Sequence, residues 1–256
     1  MIDTHCHLDA AAFDHDREAA VARALGAGVM GMLVPGIRPR TWAALHQLVA
    51  PLDAVGVRCA IGIHPQVVPE LGEDEIGGDL EARIAEAGAR AAAIGECGLD
   101  SGTGEQELQE RIFRAHVRVA RALGRPLVVH VLRAHDAAPR ILREERAAGG
   151  VLHSYSGGAE LVPVYRDLGF AFSFAGPITY ENARRPIEAA RAVPAELLLA
   201  ETDAPDQAPE PHRGGRSEPA YLPAVIAGLA AARGATPAEI NALTSANAAR
   251  VFRCWR

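Results

Sequence analysis

Histidine and acidic side chains stand at the ends of several short apolar runs in this chain, where their types suit metal chemistry. Six of them carry the interpretation: His5, His7, Glu96, His130, His153 and Asp203. Imidazole nitrogens and carboxylate oxygens are common ligands of divalent cations in proteins. Each residue alone is ordinary, but together they predict a hydrolytic centre that holds one or two divalent metal ions.

The spacing of the first two histidines supports this interpretation. Side chains alternate along an extended strand, so His5 and His7 are expected on the same side, as a half-site for one ion. Asp203 follows the last apolar run, and a carboxylate oxygen there could accept the proton of a metal-activated water. Glu96 and Asp203 are the predicted catalytic residues.

Lysine is absent from the chain, and all 26 basic residues are arginine. Schiff-base enzymes and lysine-containing phosphate loops are therefore excluded. A carbamylated lysine cannot bridge two metal ions here either. Glu96, at the end of the fourth apolar run, is the predicted bridge instead.

Short apolar runs alternate with longer amphipathic stretches, which is typical of a parallel sheet with helical crossovers. The eight candidate strands lie near residues 1–5, 29–34, 57–63, 91–95, 127–131, 150–154, 170–174 and 197–201. The clearest helix is predicted over 105–123. Eight such units in 256 residues favour one (β/α)₈ TIM-like barrel over 1–256, with an open doubly wound sheet as the alternative.

Strand carboxyl ends form the active face of such barrels, which limits where catalytic side chains can lie. The histidines that fall within or at the start of predicted helices are expected at the surface or as helix caps. They are His15, His46, His116 and His135.

The net charge of −6 argues against tight, sequence-indifferent binding to nucleic acid, so any such contact is expected to be transient. The four cysteines form no C-x-x-C pair, which is typical of a reducing compartment. No signal-peptide pattern and no apolar run long enough to span a membrane occurs. We expect a cytoplasmic monomer or weak oligomer, without membrane association or an organic cofactor.

Several further residues are candidate substrate contacts. His64, at the third strand end, could touch substrate or could be structural. Ser156 lies in the segment 154–158, whose backbone N–H groups could hold an anion or could only cap a helix. His212, Arg213 and Arg216 lie on the loop after the eighth strand, which is either a phosphate cradle or a solvated loop.

These motifs together resemble the TatD-type metal-dependent deoxyribonucleases of the amidohydrolase superfamily. The matching segments are IDTHCHLD (2–9), GIHP (62–65), IGECGLD (94–100), HSYSGG (153–158), ETDAP (201–205), HRGGRSEP (212–219) and NAARVF (247–252), with His130 between them. The resemblance implies a TIM-like barrel, the same six metal-site residues, and Mg²⁺, Mn²⁺ or Zn²⁺ as the metal. It also implies hydrolysis of phosphodiester bonds in DNA, with release of nucleotides from a 3′ end.

The chain departs from the family pattern at three places. Gln66 replaces a common histidine. Arg133 follows His130 only after two apolar residues, so its phosphate contact is lost or shifted. Asp206 and Gln207 replace an aromatic side chain, which removes a stacking surface for a base and adds negative charge.

In the predicted mechanism His5, His7 and Asp203 hold one ion, His130 and His153 hold the other, and Glu96 bridges them. Two alternatives stay open at this point. One is metal-dependent hydrolysis of an amide, a lactone or an aminoacyl ester. The other is a non-catalytic, metal-bearing binding protein.

Overall fold

The computed structural model describes residues 1–255, and each apolar run of the sequence forms one strand of a single sheet. The strands are β1 Ile2–Asp3, β2 Gly31–Pro35, β3 Val57–Ile61, β4 Ala93–Asp100, β5 Leu127–Leu132, β6 Gly150–Leu152, β7 Phe170–Phe174 and β8 Leu198–Ala200. The helices are α1 Arg17–Gly26, α2 Trp42–Val49, α3 Glu73–Ile76, α4 Leu80–Gly88, α5 Gln106–Leu123, α6 Ala137–Glu144, α7 Val162–Arg166, α8 Arg184–Ala192, α9 Leu222–Arg233 and α10 Pro237–Phe252.

All neighbouring strands are parallel, in the order β1 to β8. The first and last strands meet through the Thr4 N–H, which donates to Ala200 O at 3.2 Å, and the Asp203 N–H, which donates to His5 O at 2.9 Å. These bonds close the sheet, so the predicted (β/α)₈ barrel is confirmed and the open sheet is excluded.

Both faces of the strands are apolar because a barrel sheet is covered on each side. In β5, for example, Leu127 and Val129 belong to the larger apolar cluster, whereas Val128 belongs to a smaller one. The alternation of strand side chains thus supplies two packed layers. The strands form a rigid frame beneath the loops at their carboxyl ends.

Strand β4 has an irregular register at the residue that matters most. Gly95 pairs with Val128 and Cys97 with Val129, so Glu96 is left out of the ladder as in a β-bulge. Strand β3 passes so close that a Cβ added to Gly62 would lie 2.4 Å from Glu96 O. A glycine at 62 therefore lets the backbone that carries Glu96 fit between its neighbours.

Four strands, β1, β3, β6 and β8, end earlier than predicted at the active face, and two of them bear on the predicted ligands. β1 ends at Asp3, so His5 and His7 lie in the segment after it rather than on the regular strand. This segment is still tied to the sheet, because the Cys6 N–H donates to Leu33 O at 3.0 Å. β6 likewise ends at Leu152, before His153. Among the described residues, no helix combines the length and apolarity needed to cross a bilayer.

The prediction that His116 lies at the surface is wrong. Its ring is fully buried in α5, where Nδ1 donates to Ile112 O at 2.7 Å and Nε2 accepts from the Ile63 N–H at 3.1 Å. Burial lowers the pKa of His116 from 6.5 to about 4. The ring is a neutral structural element that positions the segment before His64.

His116 should make stability depend on acidity. Its folded pKa lies below the unfolded one, so its contribution is complete above pH 6.5 and is lost as pH falls toward about 4. The loss should reach about 3 kcal/mol. In urea unfolding from pH 7 to pH 4, His116→Gln should have a flatter acid slope than the wild type. His15→Gln, at an exposed site, should keep the wild-type acid slope. If His116→Gln and His15→Gln had the same acid slope, His116 would not be the residue responsible.

Candidate metal centre

The buried carboxylate of Glu96 lies at the middle of a histidine cluster. Its Oε2 is 3.2 Å from His5 Nε2 and 3.5 Å from His7 Nε2. Asp203 Oδ1 completes this side, at 3.6 Å and 3.8 Å from the same two nitrogens. His5, His7 and Asp203 therefore form one group of converging ligand atoms, all within 4.8 Å of one another.

The other oxygen of Glu96 faces a second group. Oε1 is 2.7 Å from His153 Nε2, 3.3 Å from His130 Nδ1 and 2.9 Å from His64 Nε2. The two oxygens of one carboxylate thus point to two different sets of nitrogens. The structure brings all six predicted metal-site residues together, and His64 lies beside them.

The donor set fits divalent cations. His5 Nε2 lies 3.2 Å from His7 Nε2, and His130 Nδ1 lies 3.0 Å from His153 Nε2. A neutral imidazole has one ring nitrogen with a free lone pair. Two such nitrogens that lie beside the same carboxylate are suited to ligate a metal ion together. Glu96 Oε2 is buried and has no hydrogen-bond partner among the described residues, which leaves it available as a ligand.

Electrostatics keep the central carboxylate charged. Burial alone would favour the neutral acid, but the neighbouring imidazoles, above all His153, outweigh it and hold the pKa of Glu96 well below its ordinary value. Burial lowers the pKa of His5 and of His130. His153 differs: burial alone would lower its pKa, but the Glu96 and Glu201 carboxylates outweigh burial and raise it well above the ordinary value. The cluster therefore combines buried negative charge with two rings, His5 and His130, that favour their neutral form.

The residue after β8, Glu201, places an outer carboxylate behind His153. Glu201 Oε1 lies 3.5 Å from His153 Nδ1 and also accepts the Ser154 N–H. A carboxylate behind a ligating histidine fixes the ring and directs its other nitrogen to the metal. The sequence places Glu201 at a strand end but indicates no role for it. Its position two residues before Asp203 is the sequence feature that could have indicated one.

Asp100 lies behind His130 at a longer distance, too far for a direct hydrogen bond. Its Oδ2 lies 3.8 Å from His130 Nε2 and accepts from Gln66 Nε2 at 2.8 Å, while Oδ1 accepts the Gly102 N–H at 2.8 Å. Gln66, noted in the sequence only as a departure, therefore holds this outer carboxylate. No sequence signal separated Asp100 from an ordinary strand-end acid.

His64 presents Nε2 to Glu96 Oε1, as His153 does, but its proton lies on that nitrogen. Its Nδ1 accepts the Gln66 N–H at 3.1 Å, so a neutral ring must carry its proton on Nε2. That Nε2–H points to Glu96 Oε1 at 2.9 Å. His64 is thus a hydrogen-bond donor within the cluster rather than a lone-pair donor.

A second departure from the family pattern also contacts the cluster. Gln207 Nε2 donates to Asp203 Oδ2, and Gln207 Oε1 accepts from Ser154 Oγ at 2.9 Å. Because Oδ2 is held from this side, Oδ1 is the oxygen that faces His5 and His7. The glutamine links the ends of β8 and β6 across the site.

The cluster forms the floor of a cavity of about 610 Å³ at the carboxyl ends of the strands. Ser156 lines it, but its hydroxyl donates to Val131 O at 3.0 Å. The backbone N–H groups of Ser154 and Tyr155 are also engaged, by Glu201 and by Ser173 O. They are therefore not free for an anion.

The structure does not bring the loop candidates to this cavity. His212 stacks on Tyr221, with ring centroids 3.7 Å apart, and Arg213 lies over the Tyr180 ring at 4.1 Å. Both pairs hold the loop against the body of the protein. Neither side chain lines the cavity.

Arg216 is turned away as well, because it pairs with Asp16 at 2.7 Å and with Glu218 at 2.6 Å. Arg133 is exposed and lies one residue beyond Leu132, which does line the cavity. The predicted phosphate cradle is thus a structural ion-pair network at Arg216.

The comparisons with known proteins agree with this geometry. A family model described as TatD related DNase matches residues 2–253. The chain belongs to the TatD-related DNase family. The resemblance drawn from the sequence motifs is confirmed.

Relatives cover almost the whole chain. The metal-dependent hydrolase YabD of Bacillus subtilis is 33% identical over 257 residues, 99% of each protein. The 3′-5′ ssDNA/RNA exonuclease TatD of Klebsiella pneumoniae is 33% identical over 270 residues, 98% of this chain and 97% of that one. The solved structure of YjjV from Escherichia coli has a TM-score of 0.89 at 28% identity, over 99% of this chain and 98% of that one. The chain is a metal-dependent hydrolase of this family.

Glu201 should control metal affinity through His153. Glu201→Gln removes the charge behind the ring, and loss of such an outer partner typically weakens metal binding by about 10- to 100-fold. Chelator competition with Zn²⁺ or Mn²⁺ measures the dissociation constant. Glu75→Gln is the matched control, since Glu75 is also buried but pairs with Arg38 away from the cluster. Equal affinities in the two variants would refute the positioning role.

Proposed function

We propose that this protein hydrolyses phosphodiester bonds at the 3′ end of single-stranded nucleic acid, with divalent metal ions. One observation carries the proposal: the two oxygens of Glu96 face two separate groups of ligand atoms. Paired ions that share a carboxylate suit phosphoryl hydrolysis, where attacking and leaving oxygens both need stabilisation. The nuclease name of the Klebsiella relative supports the same substrate class.

The residues that would hold the ions divide around Glu96. His5, His7 and Asp203 would hold one ion, and His130 and His153 would hold the other. When bound, such ions polarise the phosphoryl group and make a water nucleophilic near neutral pH.

Asp203 receives the proton of the attacking water in this proposal. Its carboxylate lies at the cavity wall, and Gln207 fixes the orientation of both its oxygens. The proton leaves the water as the new P–O bond forms, and the ester P–O bond breaks. A positioned base of this kind typically contributes about 10²- to 10⁴-fold to the rate.

His64 contributes a hydrogen bond rather than a metal ligand. Its Nε2–H points into the cluster and the ring lines the cavity, so it can donate to a phosphoryl oxygen of the substrate. Donors that are already oriented stabilise negative charge that develops in the transition state.

Loss of either proposed catalytic carboxylate should abolish divalent-dependent hydrolysis. Glu96→Gln and Asp203→Asn should each lower kcat by at least about 10²-fold on a short single-stranded DNA. Prior removal of metal with a chelator should eliminate the wild-type activity, and added Mn²⁺ should restore it. Circular dichroism and Tm report whether the barrel is intact. Wild-type rates in either purified, folded variant would refute the assignment.

His64 should separate catalysis from metal binding. His64→Leu should lower kcat/KM by about 10²-fold, as for removal of one transition-state donor, and His64→Gln should restore part of it. Metal affinity from chelator competition should change little in both variants. A large loss of metal affinity in both would instead make His64 a ligand.

Hydrolysis of an amide or ester outside nucleic acids is the second candidate. The acidic Asp206 at the cavity favours it, because a neutral substrate avoids repulsion there. A panel of oligonucleotides, amides, lactones and aminoacyl esters, assayed with Mn²⁺ and with Zn²⁺, distinguishes the two candidates.

A further inference from the structure

The cavity over the metal centre lacks positive side chains. The chain contains no lysine. Among the residues that line the cavity in the described structure there is no arginine either. Two acids, Asp9 and Asp206, line it in addition to Glu96 and Asp203, and Asp206 is exposed. Apart from bound metal ions and the His64 N–H at the cluster itself, no cationic side chain in this lining attracts the phosphates of a longer strand.

Three arginines on the surrounding loops are paired with acids. Arg38 pairs with Glu70 at 2.9 Å and with Glu75 at 3.0 Å. Arg216 has its two acidic partners, and Arg213 lies 3.7 Å from Glu210 and over an aromatic ring.

Arg133 differs from these loop arginines. It makes no ion pair within residues 1–255, but it does not line the cavity. Arg40 after β2, and Arg184 and Arg185 at the start of α8, likewise make no ion pair within the described residues and do not line the cavity. The loop arginines without an acidic partner therefore lie outside the cavity lining.

Stacking surfaces are missing as well. Within the described part of the chain, the cavity lining contains no phenylalanine, tyrosine or tryptophan; its apolar wall is made of small and branched residues such as Ile37, Val67 and Leu132. Proteins that grip single strands combine a cationic groove with aromatic side chains on which bases stack. This cavity has neither, whereas its volume of about 610 Å³ lies within the roughly 300–1,000 Å³ range of small-molecule sites.

We infer that the site recognises one phosphodiester group and the two nucleosides it joins, so that its substrates are dinucleotides and very short oligonucleotides. The inference rests on the proposed phosphodiesterase function and narrows its substrate class. Flanking phosphates of a longer strand gain no cationic contact from the cavity lining, and those near Asp206 are repelled. Chain length should therefore add almost nothing to recognition.

Kinetics with a length series test the inference. A dinucleotide and a strand of about twenty nucleotides with the same 3′ end are compared with Mn²⁺ at several salt concentrations. The kcat/KM ratio of long to short substrate should stay below about fivefold, and the salt slope for the long strand should be shallower than about −1.4, the value for two phosphate contacts. A larger ratio or a steeper slope overturns the inference but leaves the phosphodiesterase function intact. Cleavage of neither substrate overturns both.

A charge reversal at the cavity provides the matched test. Asp206→Arg should raise the long-to-short ratio of kcat/KM by about threefold, the effect of one exposed charge pair. It should also tighten binding of a labelled long strand, measured by fluorescence anisotropy. Glu196→Arg makes the same charge change in the exposed connection before β8, at the opposite end of the barrel, and should leave the ratio unchanged. Equal ratios in both variants would overturn the role given to the acidic lining.

Discussion

The structure depends on one buried anion, the carboxylate of Glu96, and on the need to compensate its charge. A carboxylate that is almost fully buried is costly unless cations or hydrogen bonds surround it. Five imidazoles converge on it, one from β5 and the others from the segments after β1, β3 and β6, and each of its oxygens faces a different group of nitrogens. Divalent ions satisfy such a cluster, and the hydrolytic chemistry of the family follows from that requirement.

The barrel makes this convergence possible. Its parallel strands end at one face, so side chains from distant parts of the sequence meet without long loops. Glu96 is left out of the ladder between β4 and β5, and Gly62 lets the neighbouring backbone approach it closely. These two features place the Glu96 carboxylate at the centre of the site. Outer carboxylates lie behind two of the rings: Glu201 is 3.5 Å from His153 Nδ1, and Asp100 is 3.8 Å from His130 Nε2. Rigid support of this kind is what a metal site needs in order to hold its geometry.

Much of this was predictable from sequence, because strand periodicity and the types of residue at strand ends are local signals. The barrel and the convergence of the six metal-site residues follow from them. The side-chain contacts that could not be predicted depend on side-chain orientation, which is not a local property of the sequence. Arg216 was a candidate phosphate contact in the sequence, but in the structure it pairs with Asp16 and Glu218. His64 could not be assigned, because its orientation is set by a backbone N–H two residues later. Gln66 was visible only as a departure, although it holds Asp100.

Anomalous diffraction from crystals soaked in Mn²⁺ tests the central claim most directly, since it locates ions independently of activity. We expect two anomalous peaks, each marking an ion that is bonded to a different oxygen of Glu96. We also expect that His64 ligates neither ion. Peaks that Glu96 does not contact, or a peak bonded to His64 Nε2, would contradict the central claim.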